Sequence, residues 1–280
     1  MSDATLSAAD LAVTRKSGRF LYGASVVLLC AWVLVPLYFL LINTLSAPAT
    51  VNSFPKPFFP PFDLSSLQFF AQFQGMTTAL INSLIVATMT MCLSILIGAP
   101  AGYALSRFDF RGKEMFRLLI LLTRAFPLPL LALPLAVAFI RTGLDDTAFG
   151  LALIHTTLAI PFAVLITFSL FSGIPVEIEE AAWTLGCTRL TAFTRVVLPL
   201  ILPGITASAI FAFVISWNEV FAAAVLTIEN RTLPAFLLQT LAESPMHLKF
   251  AGGFILVVPA LIFIFAVRKY LFAMWGIANR

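Results

Sequence analysis

The apolar residues of this chain fall into six long runs, separated by stretches that collect Pro, Gly and charged residues. A bilayer core about 30 Å thick needs roughly 20 apolar residues for one helical crossing. The runs are apolar on every face and lack the alternation of barrel strands, so helices are favoured. The pattern predicts an all-α, polytopic membrane protein with six transmembrane helices. The predicted spans are residues 21–43, 76–105, 116–140, 149–171, 201–228 and 250–272.

Composition and charge support this prediction and orient the spans. Hydrophobic residues make up 60% of the chain and charged residues 11%, and the mean hydropathy of +1.01 excludes an ordinary soluble domain. With the N-terminus inside, twelve Lys and Arg residues lie in cytoplasmic segments and four in outside segments. The positive-inside rule therefore predicts that both termini are cytoplasmic. The basic balance reflects topology and contact with membrane lipids, and no nucleic-acid partner is expected.

The predicted organisation is a cytoplasmic N-terminal segment at 1–20, a six-helix transmembrane domain at 21–275 and a cytoplasmic tail at 276–280. No cleavage site follows the first run, so a retained span is expected. Five prolines preclude a continuous helix between the first two spans. The Phe side chains of that segment are expected either to pack on a partner or to lie at the membrane interface.

Two features within the spans predict local irregularity or polar contact. The sequence TRAFPLPLLALP, in the third span, predicts a kinked or broken helix, because each proline removes a backbone hydrogen bond. A single histidine, His155, lies in the fourth span and is expected to form a hydrogen bond with a neighbouring helix rather than to carry protons. The three cysteines indicate neither a disulfide nor a metal site.

The segment at about 173–203 is a charged loop between the fourth and fifth spans. Pro175 suits a helix start, and the glutamates that follow it favour the positive end of the helix dipole. Gly186 is suited to ending that helix, and Thr188 could cap a second one. The loop therefore predicts two short helices that meet at Gly186 on the cytoplasmic side. By itself this charged loop has a purely topological explanation as well.

The spacing of residues in this loop is similar to the EAA motif of permease subunits in bacterial ATP-binding-cassette (ABC) importers. The shared residues are Glu180, Ala181, Ala182, Gly186, Leu198 and Pro199. Val196 replaces the more usual isoleucine. The segments TGLDDT, IPFAV, SWNEVFAAAVLT and AGGFILVVPALIFIF resemble the maltose-type carbohydrate permeases, over approximately 75–275. The tail LFAMWGIANR departs from the glycine-rich tail of those permeases, which leaves its role open.

The resemblance implies a type I ABC importer permease fold in a bacterial inner membrane. The EAA loop would then dock on a cytoplasmic ATPase, with Glu180 pairing with a basic group, Ala181 and Ala182 permitting close approach, and Gly186 permitting the turn. The implied partners are a second, homologous permease, two ATPase subunits and an extracytoplasmic solute-binding protein. ATP and Mg²⁺ would be used by the ATPase. This chain has no GxxxxGK[ST] loop, so no catalytic residue and no cofactor are expected in it.

Four residues in or near the spans are candidates for the substrate path, because charge in the bilayer costs at least about 2.5 to 3.5 kcal/mol. Trp217, Asn218 and Glu219 would suit a sugar, since an indole stacks on its C–H faces while the amide and carboxylate bind hydroxyls. A bond between helices would explain Glu219 equally well. Arg124 could bind an anionic substituent or extend to the headgroups. No direct bond between Arg124 and Glu219 is expected, because they lie at different depths.

The predicted function is that of the permease subunit of an ATP-driven importer for a sugar or sugar-like solute, such as an oligosaccharide, polyol, glycoside or sugar derivative. One alternative is a secondary transporter coupled to protons or ions, with Glu219 as the carrier. The absence of a visible internal repeat gives it no support. Another alternative is an ABC importer permease for amino acids, polyamines or phosphate. The sequence does not name the solute.

Overall fold

The computed structural model describes residues 8–55 and 57–274, with side chains for 21–55 and 57–268. The predicted tail at 276–280 lies outside the described residues. The described part is helical, and its only β-type pairing is one isolated bridge between Ser46 and Phe62. The helices are α1 (Ala8–Thr44), α2 (Pro48–Val51), α3 (Ser65–Gln72), α4 (Met76–Arg107), α5 (Lys113–Leu122), α6 (Leu128–Thr142), α7 (Ala148–Ser172), α8 (Val176–Thr184), α9 (Arg189–Ala192), α10 (Leu198–Asn218), α11 (Phe221–Leu226), α12 (Leu233–Leu241) and α13 (Met246–Met274).

Five of the described helical segments are long and apolar enough to cross a membrane, and a bent pair of helices supplies a sixth span. The bent pair is α5, extended by a 3₁₀ turn at Thr123–Ala125, followed by α6. The two halves meet at 87°. Phe126 is extended because the ring of Pro127 disfavours a helical conformation in the preceding residue. The predicted break in the third span is therefore confirmed, and so is the six-span, all-α fold.

The fifth span differs from its predicted bounds. It lies in a continuous helical segment, Arg189–Asn218, which ends about ten residues sooner than the apolar run indicates. Glu219 is extended, and its carboxylate accepts hydrogen bonds from the backbone N–H groups of Ala222 and Ala223 at 2.9 and 3.2 Å. This capping starts the separate helix α11. Hydropathy alone could not reveal the break, because the residues on both sides of it are apolar.

The chain divides into two compact units, and the larger one contains Phe70–Ser244. Its centre is formed by α4, α7 and α10. α4 and α7 approach closely, because a Cβ atom at Gly98 would lie 2.7 Å from Cβ of Ala163. The Thr167 hydroxyl lies at this crossing and donates to the Gly98 carbonyl oxygen at 2.9 Å. Small residues and a buried hydroxyl are typical of membrane helix pairs, where apolar side chains gain nothing by leaving the lipid.

The loops that follow α6 and α11 in this unit are joined by Asp146. Its backbone N–H donates to the Leu226 carbonyl oxygen at 3.0 Å. Its carboxylate accepts from the backbone N–H groups of Ile228 and Asn230 at 2.9 and 3.0 Å, and also from that of Glu229. Asp146 has a φ of 51°, a conformation that Asp tolerates better than most residues. The short turn predicted at 141–147 is thus bonded to a second loop.

The smaller unit contains the chain up to Phe69 together with Pro245–Phe254. Its proline-rich segment folds back along the end of α1, where the Tyr38 hydroxyl donates to the Phe58 carbonyl oxygen at 2.7 Å. Two short helices, α2 and α3, were not anticipated by the sequence pattern. The rings of Phe54 and Phe59 are 96% and 90% exposed. Whether these rings contact a partner or the membrane interface stays a prediction.

Candidate coupling site at the α8–α9 elbow

The predicted pair of short helices is present, and we call the segment from Pro175 to Val197 the elbow. α8 begins directly after Pro175 and α9 directly after Thr188, whose hydroxyl accepts from the Thr191 N–H at 3.2 Å. Gly186 has a φ of 91°. The N–H groups of Gly186 and Cys187 donate to the Trp183 and Ala182 carbonyl oxygens, which is the Schellman pattern for ending a helix. Glycine is required there because other residues are strained at this φ.

The elbow is held to α4 by a buried carboxylate that belongs to Glu179. Its side chain is 1% exposed, and that of its partner Arg107 is 9% exposed. The Arg107 Nε atom lies 2.5 Å from Oε1, and the Tyr103 hydroxyl donates to Oε2 at 2.7 Å. Arg107 also donates to the Ile174 carbonyl oxygen at 3.1 Å. A buried ion pair with this many hydrogen bonds fixes the geometry of both helices.

Tyr103 extends this connection to two further elements. Its ring packs edge-on against Phe171 near the end of α7, with centroids 5.2 Å apart. It also packs edge-on against Phe193, at the entrance to α10, with centroids 4.7 Å apart. Such pairs contribute about 0.5 to 1.5 kcal/mol beyond the area they bury. The base of the elbow therefore contacts α4, α7 and the start of α10 together.

The entrance to α10 is a widened π-helical turn at Phe193–Val197, which ends two residues before Pro199. The Leu198 N–H donates to the Phe193 carbonyl oxygen, five residues back. Pro199 has no N–H to donate, so a regular α-helical ladder could not continue through this position. The Leu-Pro end of the motif therefore marks where the elbow changes into the membrane helix.

The six residues of the predicted motif fall on different surfaces. Glu180 is exposed on α8 and forms no ion pair with any described residue. Ala181 and Gly186 are exposed, and so is Pro199, whereas Leu198 is half-buried and Ala182 is 6% exposed. The side chains of Leu185 and Leu190 are 85% and 72% exposed. The outward surface of the elbow thus combines the exposed carboxylates of Glu177 and Glu180 with large apolar side chains.

Sequence reasoning missed the residues that hold the elbow in place, which are Tyr103, Arg107 and Glu179. Arg107 counted only as a cytoplasmic charge, and Glu179 only as one of several glutamates near a helix start. A signal was present: Glu179 and Ala182 are three residues apart and so share a helical face, which is the buried one. Identifying the partner on α4 requires the tertiary structure, because 72 residues separate Arg107 from Glu179.

The second group of candidates lies where α10 ends. Trp217 is 3% exposed, and its indole N–H donates to the Leu256 carbonyl oxygen at 3.3 Å. Asn218 is exposed, and its amide donates to the Val214 carbonyl oxygen at 2.9 Å. The Glu219 Oε2 atom lies 3.1 Å from Nε2 of His155 on α7. Nδ1 of the same ring lies 2.7 Å from the Ser216 hydroxyl on α10, so the expected hydrogen bond between His155 and a neighbouring helix is confirmed.

Arg124 lies apart from this group, at the end of the first half of the bent span. The centre of its guanidinium lies 3.8 Å from the ring centroid of Phe162 on α7. No hydrogen bond or ion pair joins the Arg124 side chain to another described residue, Glu219 included. Within the described ranges, no group of three or more His, Cys, Asp and Glu side chains could hold a metal ion.

Six helical spans with a charged elbow before the fifth are typical of a class of membrane transport subunit, and comparison with known proteins identifies the family. The family of binding-protein-dependent transport system inner membrane components matches residues 94–273. That range covers well over half of the chain. The chain belongs to this family, and it is therefore an inner-membrane permease subunit of an ABC importer.

Individual relatives agree with this assignment. The chain is 32% identical to the trehalose transport system permease protein of Mycobacterium tuberculosis (strain CDC 1551 / Oshkosh), over 70% of this chain and 74% of that protein. It is 34% identical to the sulfoquinovosyl glycerol transport system permease protein of Agrobacterium fabrum (strain C58 / ATCC 33970), over 68% of this chain and 67% of that protein. A chain of a bacterial ABC transporter involved in importing the acidic polysaccharide alginate has the same fold, with a TM-score of 0.76 and 21% sequence identity. The match covers 96% of this chain and 99% of that chain.

Proposed function

We propose that this chain is the transmembrane subunit of an ATP-driven importer for a sugar or sugar-like solute, and that the elbow couples it to a cytoplasmic ATPase. The observation that carries the proposal is that two adjacent glutamates lie in different environments, one buried and one exposed. Glu179 is buried and bonded to α4, whereas Glu180 is exposed, as are Leu185 and Leu190. One face of the elbow is therefore bonded to the membrane helices while the other is open to a partner.

This arrangement suits the transmission of motion. A partner that contacts Glu180 and the exposed leucines would move α8 as a rigid unit, since Gly186 fixes the turn and Glu179 fixes the base. Because Arg107 and Tyr103 belong to α4, and Tyr103 also contacts Phe171 and Phe193, displacement of α8 would pass to three membrane helices. Closure of the ATPase dimer would then reorient the bundle by rigid-body motion.

The proposed assembly contains this chain, a second permease, two ATPase subunits and an extracytoplasmic binding protein. In this assembly the ATPase subunits bind and hydrolyse ATP with Mg²⁺, and this chain contributes no catalytic group or cofactor. The elbow and both termini lie on the cytoplasmic side, as the excess of Lys and Arg there favours. The binding protein docks at the opposite end, where Asp146 holds two loops together.

A sugar-like cargo is supported by what the relatives transport. The names of two of them specify trehalose and sulfoquinovosyl glycerol, and the structural neighbour is involved in the import of a polysaccharide. We propose Trp217, Asn218, Glu219 and Arg124 as residues of or near the substrate path. Asn218 and Arg124 have exposed side chains in this chain, whereas Trp217 and Glu219 act by shaping the helix end that presents Asn218.

The coupling proposal is tested by substitutions on the open face of the elbow in the complete importer. Glu180→Lys reverses the charge offered to the ATPase, and Gly186→Asp places a side chain at a φ of 91°. Each is expected to lower ATP-driven uptake about tenfold or more, a loss of about 1.4 kcal/mol of coupling interaction. Insertion into the membrane should remain normal, as judged by protein level in the membrane fraction.

The matched control is Glu177→Lys, which makes the same charge change on an exposed residue of the same helix. Uptake and the ATPase activity stimulated by loaded binding protein should fall in the first two variants and stay near wild type in the control. Normal uptake by both Glu180→Lys and Gly186→Asp would show that the elbow is not the coupling contact. Uptake that follows a proton gradient and needs no ATP would contradict the importer function itself.

A further inference from the structure

Arg124 lies at the middle depth of the bundle. Its guanidinium rests on Phe162, which is ten residues from the end of α7 at Ser172, or roughly 15 Å along the helix axis. α7 contains 25 residues, so its total length is roughly 37 Å. Arg117, two turns earlier on α5, rests on Phe168 in the same way, with 4.3 Å to the ring centroid. The two contacts show that α5 runs along α7 toward the centre of the bundle.

The position of Arg124 conflicts with a lipid environment. Its guanidinium stacks on a ring at mid-depth and so does not extend to the headgroups. It is exposed and has no hydrogen-bonded or ionic partner among the described residues. A permanently charged side chain at this depth is found facing a water-filled cavity or a partner. The break in the helix at Phe126 also requires protein or water beside it, because non-helical backbone at membrane depth occurs only inside protein or beside a water-filled cavity.

A cleft of the appropriate size opens at this break. Its volume is about 840 Å³, which is within the usual range for small-molecule sites. The Arg124 guanidinium and the hydroxyls of Thr123 and Thr157 supply its polar groups, while Leu128, Leu131 and Ile154 are among the apolar residues that line it. The cleft therefore offers one fixed positive charge, a few hydroxyls and broad apolar walls.

We propose that this cleft is part of the substrate path and that Arg124 selects cargo that bears an anionic group, such as a sugar carboxylate, sulfonate, sulfate or phosphate. The inference rests on the proposed importer function and narrows its substrate class. Guanidinium binds such oxyanions through paired N–H donors, and the Phe162 ring holds the guanidinium plane in place. The bend between α5 and α6 leaves the cleft open beside α7, where a solute could move past Arg124.

The first test measures water access and local charge without knowing the cargo. Thr157→Cys is introduced into a complete importer whose native cysteines, Cys30, Cys92 and Cys187, are changed to Ser. The new thiol is treated with an anionic reagent, sulfonatoethyl methanethiosulfonate, and a cationic one, the trimethylammonioethyl analogue. After correction for their rates with a free thiol, the anionic reagent should react on the order of tenfold faster. Adding Arg124→Gln should remove that preference.

This test can overturn the proposal in two ways. If neither reagent modifies the thiol in any state of the transport cycle, the cleft faces lipid or is sealed by a partner. If both reagents react but show no anion preference, the charge of Arg124 is neutralised by an acidic residue of a neighbouring subunit. Either result shows that Arg124 does not present a positive charge to a solute.

The second test compares uptake of matched neutral and anionic sugars by reconstituted importer with its cognate binding protein. The probes are radiolabelled disaccharides and their uronic-acid and sulfonate counterparts. The wild-type importer should transport the uronic-acid or sulfonate sugars. Arg124→Gln should lower the anionic rate about tenfold, while Arg124→Lys should retain part of it because the charge is kept. Arg117→Gln is the matched control, since Arg117 also stacks on α7 but pairs with Glu114 outside the cleft.

The outcomes separate this inference from the proposed function. ATP-driven uptake of neutral sugars alone, or an anionic rate that Arg124→Gln leaves unchanged, would refute the anion selection and leave the sugar importer intact. If no sugar of either class is transported while ATP drives uptake of an amino acid, polyamine or phosphate, the proposed cargo is wrong, and the thiol test alone then decides whether Arg124 faces solute.

Discussion

The two ends of the larger unit are each held by one acidic side chain, in different ways. At the elbow, Glu179 is 1% exposed and accepts hydrogen bonds from the side chains of Arg107 and Tyr103. At the opposite end, Asp146 is partly exposed and accepts from the backbone N–H groups of three successive residues, Ile228 to Asn230. The first carboxylate joins helices through a buried ion pair, and the second joins loops through amides that water also reaches.

The two contacts differ in which polar groups lose their partner when the carboxylate is removed. Removing Glu179 would leave the largely buried Arg107 charge and the half-buried Tyr103 hydroxyl without their acceptor, which is costly. Removing Asp146 would leave backbone N–H groups that solvent can satisfy. The base of the elbow is therefore held rigidly, as the proposed transmission of motion requires, whereas the loop contact can be lost at modest cost.

The largest effect is expected from reversing the charge of the buried elbow pair. Arg107→Glu places a second carboxylate beside Glu179 and should destabilise the helix contact by about 3 to 5 kcal/mol. Uptake and ATPase stimulation should both collapse, and the melting temperature of the purified importer in detergent should fall. Arg111→Glu is the control, because Arg111 is exposed in the following loop.

The reciprocal exchange decides whether the pair itself is responsible. Combining Arg107→Glu with Glu179→Arg restores opposite charges across the contact and should recover part of the melting temperature and of the ATPase stimulation. A double variant no better than Arg107→Glu alone would mean that the two side chains do not act as a pair.

An intermediate effect is expected at Glu219, whose carboxylate combines both kinds of contact. It meets the His155 ring on α7 and the backbone N–H groups of Ala222 and Ala223. Glu219→Gln keeps one acceptor oxygen and loses the other, so the importer should lose about 1 to 3 kcal/mol of stability, measured by thermal unfolding in detergent.

Asn218→Ala separates structure from transport in the same segment. Asn218 is exposed and bonded only to the Val214 carbonyl oxygen within its own helix, so the melting temperature should hardly change. If Asn218 contacts the cargo, uptake should fall several-fold. Unchanged uptake would remove Asn218 from the substrate path.

The smallest effect is expected from Asp146→Ala. The three amides should lose protection, so hydrogen exchange at Ile228 to Asn230 should accelerate, while overall stability should fall by about 1 kcal/mol. Asp145→Ala is the matched control, because it removes the exposed carboxylate of the residue next to Asp146. Unchanged exchange in Asp146→Ala would mean that this carboxylate does not order the loop.

The pH dependence of the same loop has a definite sign. Burial raises the pKa of Asp146, but hydrogen bonds from Asn230, Ile228 and Glu229 outweigh burial and leave the pKa below its usual value. A lowered pKa in the folded protein means that the contribution to stability is complete above the unfolded value of about 3.9. It is lost only as the pH falls through the lower folded value. Exchange protection, corrected for intrinsic rates, should therefore be constant from about pH 5 to 8.

Much of the fold was predictable because long apolar runs have few alternatives in a bilayer. The broken third span followed from its prolines, and the elbow followed from Pro175, Gly186 and Thr188. The early end of the fifth span was not predictable, because hydropathy continues past Glu219. The short helices α2, α3, α11 and α12 were missed because their type depends on capping and tertiary contact more than on periodicity.

The sequence by itself determined the class of the protein, the number of spans and the location of the elbow, because hydropathy, proline and glycine act locally along the chain. It also showed that two glutamates stand together in the motif. Only the tertiary structure decided which of them is buried, because the distinction depends on Arg107 and Tyr103 reaching α8 from another helix. In the same way, only the tertiary structure showed that the Arg124 guanidinium stacks on the Phe162 ring of α7, 38 residues further along the chain.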